Sequence, residues 1–252
     1  MRIDLNADVG ESFGAYAIGH DAGLMTSITS ANVAAGFHAG DPSVLRSTIR
    51  LAKAHRVAVG AHPGFPDLGG FGRREMTVSP ADAEDFVLYQ IAAVAGVAAA
   101  EGVALQHVKP HGALFNMAMR DAGLASAIVR ATAAFNPKLI LFGLPESELL
   151  KAGRAAGVRV VAEAFADRAY EPDGSLVPRG KPGAVVHDEA VVVARAVRMA
   201  RDGEIEAVDG SILRFRPDTI CVHSDTPRAD DLAARLRSAL EEAGVIVRAV
   251  GR

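Results

Sequence analysis

The feature that most constrains this chain is a rhythm. Seven short runs rich in Val, Ile and Leu recur at 2–8, 30–34, 57–61, 105–109, 138–142, 158–163 and 219–223, separated by longer amphipathic stretches. Each run predicts a strand. A strand followed by a helical crossover, repeated, predicts a parallel sheet, because the helix carries the chain back to start the next strand in the same direction. Helices are predicted over 42–55, 80–101, 122–135, 146–156, 188–201 and 228–243. Asp41 before Pro42, and Ser79 before Pro80, each place an N-cap ahead of a proline at the first helical position. No internal repeat, low-complexity tract or Ser/Gly-rich linker interrupts the pattern. The 252 residues therefore read as one α/β domain, 1–252, of the size that a single closed barrel or an open doubly wound sheet fills.

Composition narrows the function classes. Half of the residues are hydrophobic, which is enough apolar surface to offset the entropy of ordering. Aromatics make up 5% and Trp is absent, so Ala, Val and Leu carry the packing. A formal charge of −3 argues against a nucleic-acid partner bound by phosphate neutralisation. Cys221 is the single cysteine, which excludes an internal disulfide and a thiolate zinc cluster. The N-terminal Met-Arg-Ile-Asp-Leu-Asn has no signal-peptide core, and the longest apolar stretch, 91–100, is about half of a membrane span. The expectation is a cytoplasmic protein with no membrane contact.

The informative positions are the strand ends. The first predicted strand ends through Asn6 and Asp8, and the second leads through Asn32 to His38. The third ends at His62, the fourth at Lys109 with His111 two residues on, the sixth at Glu163 and the seventh at His223 with Asp225. Taken singly, each has a bland reading as a turn former or solvated charge. Six ionisable ends among seven strands exceed what turn chemistry requires, since turns favour Gly, Asn, Pro and Ser. They share the carboxyl end of one sheet, where α/β folds place their active sites. Two long loops, 62–79 and 164–183, start from that end. The first carries Gly69-Gly70-Phe71-Gly72-Arg73-Arg74, which suits a lid gripping an anion as well as it suits a plain surface loop.

Several motifs are missing. The only Gly-Lys, at 180–181, precedes Pro182 and has no strand–helix context, so no phosphate loop is present. A Gly-x-Gly-x-x-Gly after the first strand, His-Glu-x-x-His and Gly-x-Ser-x-Gly are absent too. The residues alone leave a hydrolase-like polar mouth. Asp8, His38, His62, Glu163 and His223 could serve there as metal ligands or as general acids and bases.

Eight blocks, in order, then resemble one family. They are Ile-Asp-Leu-Asn-Ala-Asp-Val-Gly-Glu at 3–11, Ala-Asn-Val-Ala-Ala-Gly-Phe-His-Ala-Gly-Asp-Pro at 31–42, and Val-Gly-Ala-His-Pro-Gly-Phe-Pro-Asp at 59–67. Gly-Phe-Gly-Arg-Arg at 70–74, Tyr-Gln-Ile at 89–91 and His-Val-Lys-Pro-His-Gly-Ala-Leu at 107–114 follow. Glu-Ala-Phe-Ala-Asp-Arg-Ala-Tyr at 163–170 and Cys-Val-His-Ser-Asp-Thr-Pro at 221–227 complete the set. On these the sequence resembles the LamB/YcsF family. The resemblance implies a distorted seven-stranded (β/α) barrel, TIM-barrel-like and of the glycoside hydrolase and deacetylase type. It implies an ATP-hydrolysing 5-oxoprolinase that opens 5-oxoproline to L-glutamate, with ATP as co-substrate and subunits B and C as partners. Ala7 and Ala35 stand where many members carry Cys, and Ser224 where Gly is usual.

Within that resemblance, Asp8, His62 or Glu163 is the expected base, and His111 and His223 are the expected proton carriers. Lys109 and Arg168 would hold the substrate carboxylate or a phosphate, with Arg73 and Arg74 closing over them. Asn6, His38 and Asp225 complete the expected binding set. Two alternatives stand beside this reading. One is a metal-dependent deacetylase or related hydrolase with a divalent ion on Asp8, His38 and His62. The other is a non-catalytic ligand-binding subunit, and homo-oligomerisation is open in all three.

Overall fold

The computed structural model describes residues 1–223 and 228–251. Seven parallel strands close on themselves: β1 (Arg2–Val9), β2 (Ser30–Ala34), β3 (Ala58–His62), β4 (Leu105–Val108), β5 (Ile140–Gly143), β6 (Arg159–Phe165) and β9 (Thr219–Val222). Closure comes from β9, which pairs with β6 through Glu163↔Thr219 and with β1 through Asp4↔Thr219 to Ala7↔Val222. The expected barrel is therefore formed, with strands drawn from residue 2 to residue 222. Two strands, β7 (Glu204–Glu206) and β8 (Ile212–Arg214), form a hairpin outside it. A last strand, β10 (Ile246–Val247), pairs with the start of β1, at Arg2 and Ile3.

Helices cover the outside: α1 (Asp21–Leu24), α2 (Pro42–Ala54), α3 (Pro80–Ala100), α4 (Gly112–Ala118), α5 (Ala122–Phe135), α6 (Glu148–Ala155), α7 (Glu189–Asp202) and α8 (Ala229–Glu242). The two predicted caps form. The Asp41 carboxylate accepts from Ser43 N at 2.8 Å and Val44 N at 2.9 Å, and Ser79 Oγ accepts from Asp82 N at 3.1 Å. Each satisfies amides that the first helical turn leaves without an internal partner. Two short helices, α1 and α4, and the hairpin were not expected from the sequence. Helix α4 begins immediately after His111, so what reads as a loop is three residues, Lys109 to His111, and then helix.

Helix α3 has 21 residues, more than the apolar run at 91–100 suggested, and among the described residues it is the one helix long and apolar enough to cross a membrane. It packs one face inward through Val87, Ile91, Val94 and Ala98, and its buried Gln90 hydrogen-bonds the backbone of Gly64 at 2.9 Å in both directions. Those contacts make it a layer of the barrel wall.

The hydrophobic core lies between strands and helices. Ile3, Leu5, Ala7 and Val9 of β1 belong to it, with Val33, Val59, Ile91, Leu114, Ile128 and Leu236. The alternate positions of β1, namely Asp4, Asn6 and Asp8, are also buried but hydrogen-bond one another's neighbours inside the barrel. Side chains alternate across a strand with a period of two.

Candidate active site

The barrel interior is a connected polar column. Low in it, Asp4 accepts from Ser30 Oγ at 2.7 Å, Thr29 Oγ1 at 2.6 Å and Thr219 Oγ1 at 2.5 Å, while burial pushes its carboxyl upward. Above it Asn6 uses all four of its hydrogen-bonding positions. Its Nδ2 donates to Glu163 Oε1 at 2.9 Å and Thr219 Oγ1 at 2.7 Å; its Oδ1 accepts from Asn32 Nδ2 at 2.7 Å and Lys109 Nζ at 3.2 Å. Asn32 also donates to Asp8 Oδ1 at 2.8 Å and accepts from His107 Nε2 at 2.8 Å. That bond makes Nε2 of His107 the donor, and the buried ring stays neutral. Burial, reinforced by the Lys109 charge, pulls it down to about 3.

Lys109 is the hub. Its ammonium lies 2.9 Å from Asp8 Oδ1, 2.9 Å from Glu163 Oε1 and 3.0 Å from Cys221 Sγ. Burial disfavours the charged amine, and the acidic groups around it, Asp8 foremost, outweigh that and hold its pKa well above the usual range. The two carboxylates separate in behaviour. Burial alone would raise Asp8, but His62 and Lys109 beside it keep it well below the ordinary carboxylate range. Glu163, deeper and fully enclosed, is raised by burial. Opposite environments acting on two nearby carboxyls are what divides their roles.

A histidine cluster forms the adjoining wall. His62 Nδ1 donates to the carbonyl of Lys109 at 2.7 Å, and His111 Nε2 donates to the carbonyl of Phe71 at 2.8 Å. The remaining nitrogens, His62 Nε2 and His111 Nδ1, face each other at 2.9 Å. His62 Nε2 is also 3.3 Å from Asp8 Oδ2. His38 stacks on His111 with ring centroids 3.8 Å apart and planes 6° from parallel. Burial pushes both His38 and His111 well below the ordinary imidazole range. Two glycines admit these rings: a Cβ on Gly64 would stand 2.6 Å from His38 Nδ1, and one on Gly72 would stand 2.7 Å from His38 Cβ. Glu11 reaches the same cluster, its Oε1 lying 3.8 Å from His38 Nε2 and 3.8 Å from His111 Nδ1. One potential ligand atom from each of Glu11, His38, His62 and His111 lies within 4.8 Å of the other three, and Asp8, Cys221 and His223 form a second such group.

On the opposite wall His223 Nδ1 donates to Asp167 Oδ2 at 2.7 Å, which orients the ring and leaves Nε2 available. Burial opposes ionisation of Asp167, and His223 overrides it, so Asp167 lies below its ordinary value. Between these walls is a cavity of about 640 Å³. Asp8, His62, Lys109, His111 and His223 line its floor and sides, and Arg73, Arg120, Arg179 and Lys181 add positive charge nearer the rim. Arg73 stands over the Phe71 ring at 4.9 Å.

The structure brings together Asp8, His62, Lys109, His111, His223 and Arg73 as the strand ends led one to expect. Four expectations change. Asn6 is saturated by protein partners, among them Lys109 and Glu163, and does not line the cavity. Glu163 lies beneath Lys109, also outside the lining. His38 sits behind His111. Arg74, adjacent to Arg73, turns away to an ion pair with Asp67, its Nε 3.0 and 3.1 Å from the two carboxylate oxygens, and does not close over the cavity.

Arg168 lines the cavity, but its Nε donates to Ala184 O at 3.2 Å and its Nη2 to Val177 O at 2.6 Å, tying the 164–183 loop across the mouth. Asp225, like Ser224, lies outside the described residues. The expected metal set of Asp8, His38 and His62 is redrawn: the carboxylate that joins His38 and His62 within ligand range is Glu11, and His111 is the further imidazole. Glu11, His107, Asp167, Arg120, Arg179 and Lys181 were missed. A signal for Glu11 existed in its place just past a polar strand end, after Gly10, whose φ of +70° turns the chain back over the mouth.

Comparison with known proteins agrees with this architecture. The model of the LamB/YcsF family matches residues 3–252. The A subunit of 5-oxoprolinase from Pyrococcus abyssi is 51% identical over 247 residues, which cover 98% of this chain and 97% of that protein. The crystal structure of the lactam utilization protein from Thermus thermophilus superposes with a TM-score of 0.93 at 52% identity, covering 99% of this chain and all of that one. At 11% identity and a TM-score of 0.52, a family 4 carbohydrate esterase from Streptomyces lividans shares the fold alone.

Proposed function

This chain belongs to the LamB/YcsF family, and on that premise we propose that it is the A subunit of a 5-oxoprolinase, hydrolysing the cyclic amide of 5-oxoproline to glutamate. The observation that carries the reading is similarity over essentially the whole chain, at about half identity, to proteins named for that activity. Their designation as one subunit of an enzyme supports a multi-subunit assembly, here with B and C partners. ATP is its co-substrate.

The chemistry explains why ATP is needed. A lactam carbonyl is a poor electrophile because the ring nitrogen donates into it. Phosphorylation of the amide oxygen leaves a C=N bond with an electron-poor carbon. Water then adds to that carbon, its proton passing to Asp8, while His223, oriented by Asp167, protonates the ring nitrogen. The C–N bond breaks, giving an acyl phosphate and a free amine, and a second water hydrolyses the acyl phosphate to carboxylate and phosphate. Asp8 held ionised is a weak base, and it suffices because phosphorylation has already activated the electrophile. Lys109 beside it supports the negative charge that develops on oxygen. Arg73, Arg179 and Lys181 line the cavity, and in this reading they hold the substrate carboxylate and the phosphoryl group.

Reconstitution with the B and C subunits tests this reading. The wild-type complex releases glutamate only with ATP. Asp8→Asn and His223→Gln each lower turnover by about 10²–10⁴, the usual worth of a positioned acid or base. Full turnover by both variants in an intact complex would place the chemistry elsewhere.

A further inference from the structure

The geometry points to a site for one divalent transition-metal ion formed by Glu11, His38, His62 and His111. The inference goes beyond the proposed reaction, since it concerns binding of an ion and holds whatever amide is hydrolysed.

Backbone carbonyls fix where two of these rings carry their protons. The outer nitrogens of His62 and His111 donate to the carbonyls of Lys109 at 2.7 Å and Phe71 at 2.8 Å. In neutral rings this leaves lone pairs on His62 Nε2 and His111 Nδ1, and these face each other at 2.9 Å. Two lone pairs at that distance require a positive centre between or beside them, either a proton, as when a charged His62 acts on Asp8 at 3.3 Å, or a metal ion. A carbonyl on the far nitrogen is also how proteins fix the tautomer and aim of a ligating imidazole.

The second observation is His38. It is fully buried, and neither of its ring nitrogens has a hydrogen-bond partner among the described residues. An orphaned buried imidazole is costly, because its nitrogens lose water and gain nothing. Its Nε2 is 3.8 Å from Glu11 Oε1, and the same oxygen is 3.8 Å from His111 Nδ1. Metal–nitrogen bonds of about 2.0–2.1 Å put tetrahedral ligands about 3.3–3.4 Å apart. The separations of 2.9, 3.8 and 3.8 Å bracket that value. Three imidazoles and a carboxylate suit zinc or a neighbouring first-row ion better than magnesium or calcium, which prefer oxygen. Glu11, His62 and His111 line the cavity, so a bound ion acts at its wall as a Lewis acid.

Zn²⁺ and Co²⁺ salts alone are the probes. Chelator-stripped full-length protein is titrated with Zn²⁺ by calorimetry and with Co²⁺ by visible absorption. The expected result is one equivalent of either ion, with the intense visible bands of tetrahedral cobalt. Glu11→Gln and His38→Ala lose stoichiometric binding, whereas Asp8→Asn keeps one equivalent; circular dichroism checks that each variant is folded. X-ray absorption on zinc-loaded wild type needs no substitution and is expected to show only nitrogen and oxygen neighbours. Absence of stoichiometric uptake by folded wild-type protein overturns the site, and means that a shared proton joins His62 to His111. Uptake retained by both ligand variants, or sulfur among the neighbours, overturns it in favour of the Asp8, Cys221 and His223 group. None of these readouts depends on glutamate formation, so loss of the metal site and loss of the functional reading are separate outcomes.

Discussion

On the outer face of β1, Ile3, Leu5, Ala7 and Val9 are sealed into the apolar layer beneath the helices. On the inner face of the same strand, Asp4 and Asn6 are sealed equally well among hydroxyls, amides and an ammonium, and Asp8 above them meets the cavity. Below the cavity both faces are buried, and they are stabilised differently. The outer face depends on area, at about 25 cal/mol for each Å² removed from water, and tolerates changes that conserve volume. The inner face depends on complete pairing, because each unmatched charge or lone pair there carries its full desolvation penalty. The barrel thus relies on apolar burial for its wall and uses its interior to hold charges in fixed positions for the cavity above.

The largest effect is expected where that pairing is broken at its hub. Lys109→Met removes the cation between Asp8 and Glu163 and leaves the Asp8 charge buried without its partner. Urea denaturation is expected to show a loss of about 3–5 kcal/mol, and the folded fraction is expected to be inactive. If Lys109→Met were as stable as wild type, the interior would be tolerating substitution as the apolar wall does.

Leu5→Ala tests the other face. A fully buried leucine truncated in place is expected to cost about 2–5 kcal/mol, while turnover per folded molecule stays near wild type because no cavity group moves. Comparable loss of specific activity would show that the two faces are coupled.

A smaller effect separates the faces by pH. His107 stays neutral in the fold, its pKa down at about 3 from 6.5, so the unfolded chain binds the extra proton first as pH falls. Its stabilisation is complete above pH 6.5 and is lost progressively toward pH 3, by up to about 1.4 kcal/mol per pH unit. His107→Gln removes that dependence. Between pH 6.5 and pH 5 its stability is expected to fall by about 2 kcal/mol less than that of wild type, as measured by denaturation at the two pH values. Parallel acid limbs would mean that His107 is charged in the fold.

The smallest effects contrast two adjacent arginines. Arg73→Ala is expected to raise KM by about tenfold, equivalent to about 1.4 kcal/mol of lost anion binding. Arg74→Ala, which only breaks the exposed side of a pair with Asp67, is expected to leave kinetics unchanged. Steady-state kinetics of the reconstituted complex reads both. Equal effects would mean that the 62–79 loop acts as one anion-gripping unit.

Much of this was legible beforehand. The seven barrel strands lie within two residues of where the Val, Ile and Leu runs put them, and the caps at Asp41 and Ser79 form as read. Asp8, His62, Lys109, His111 and His223 could be picked out because each ends or directly follows a strand. His107 escaped because it lies within β4 beside Gln106, where two adjacent polar residues point to opposite faces and a four-residue run does not say which face is the barrel interior. Helix α4 escaped because Gly112, at its first position, argues locally for a turn.

Alternation along β1 by itself determined that one face would be polar and one apolar, since the period of two is a property of the extended backbone. Parallel pairing and the location of the reactive end followed from the repeated strand–helix rhythm, whereas strand order was fixed by closure. Which polar residues meet was decided only by closure of the barrel. Asn6 and Thr219 are 213 residues apart yet hydrogen-bonded, and Lys109 finds Asp8 across 101 residues. The same long-range geometry turned Arg73 toward the cavity and Arg74 toward Asp67, and brought Glu11 to the three histidines. Local pattern specifies which way a side chain faces; only the folded barrel specifies what it faces.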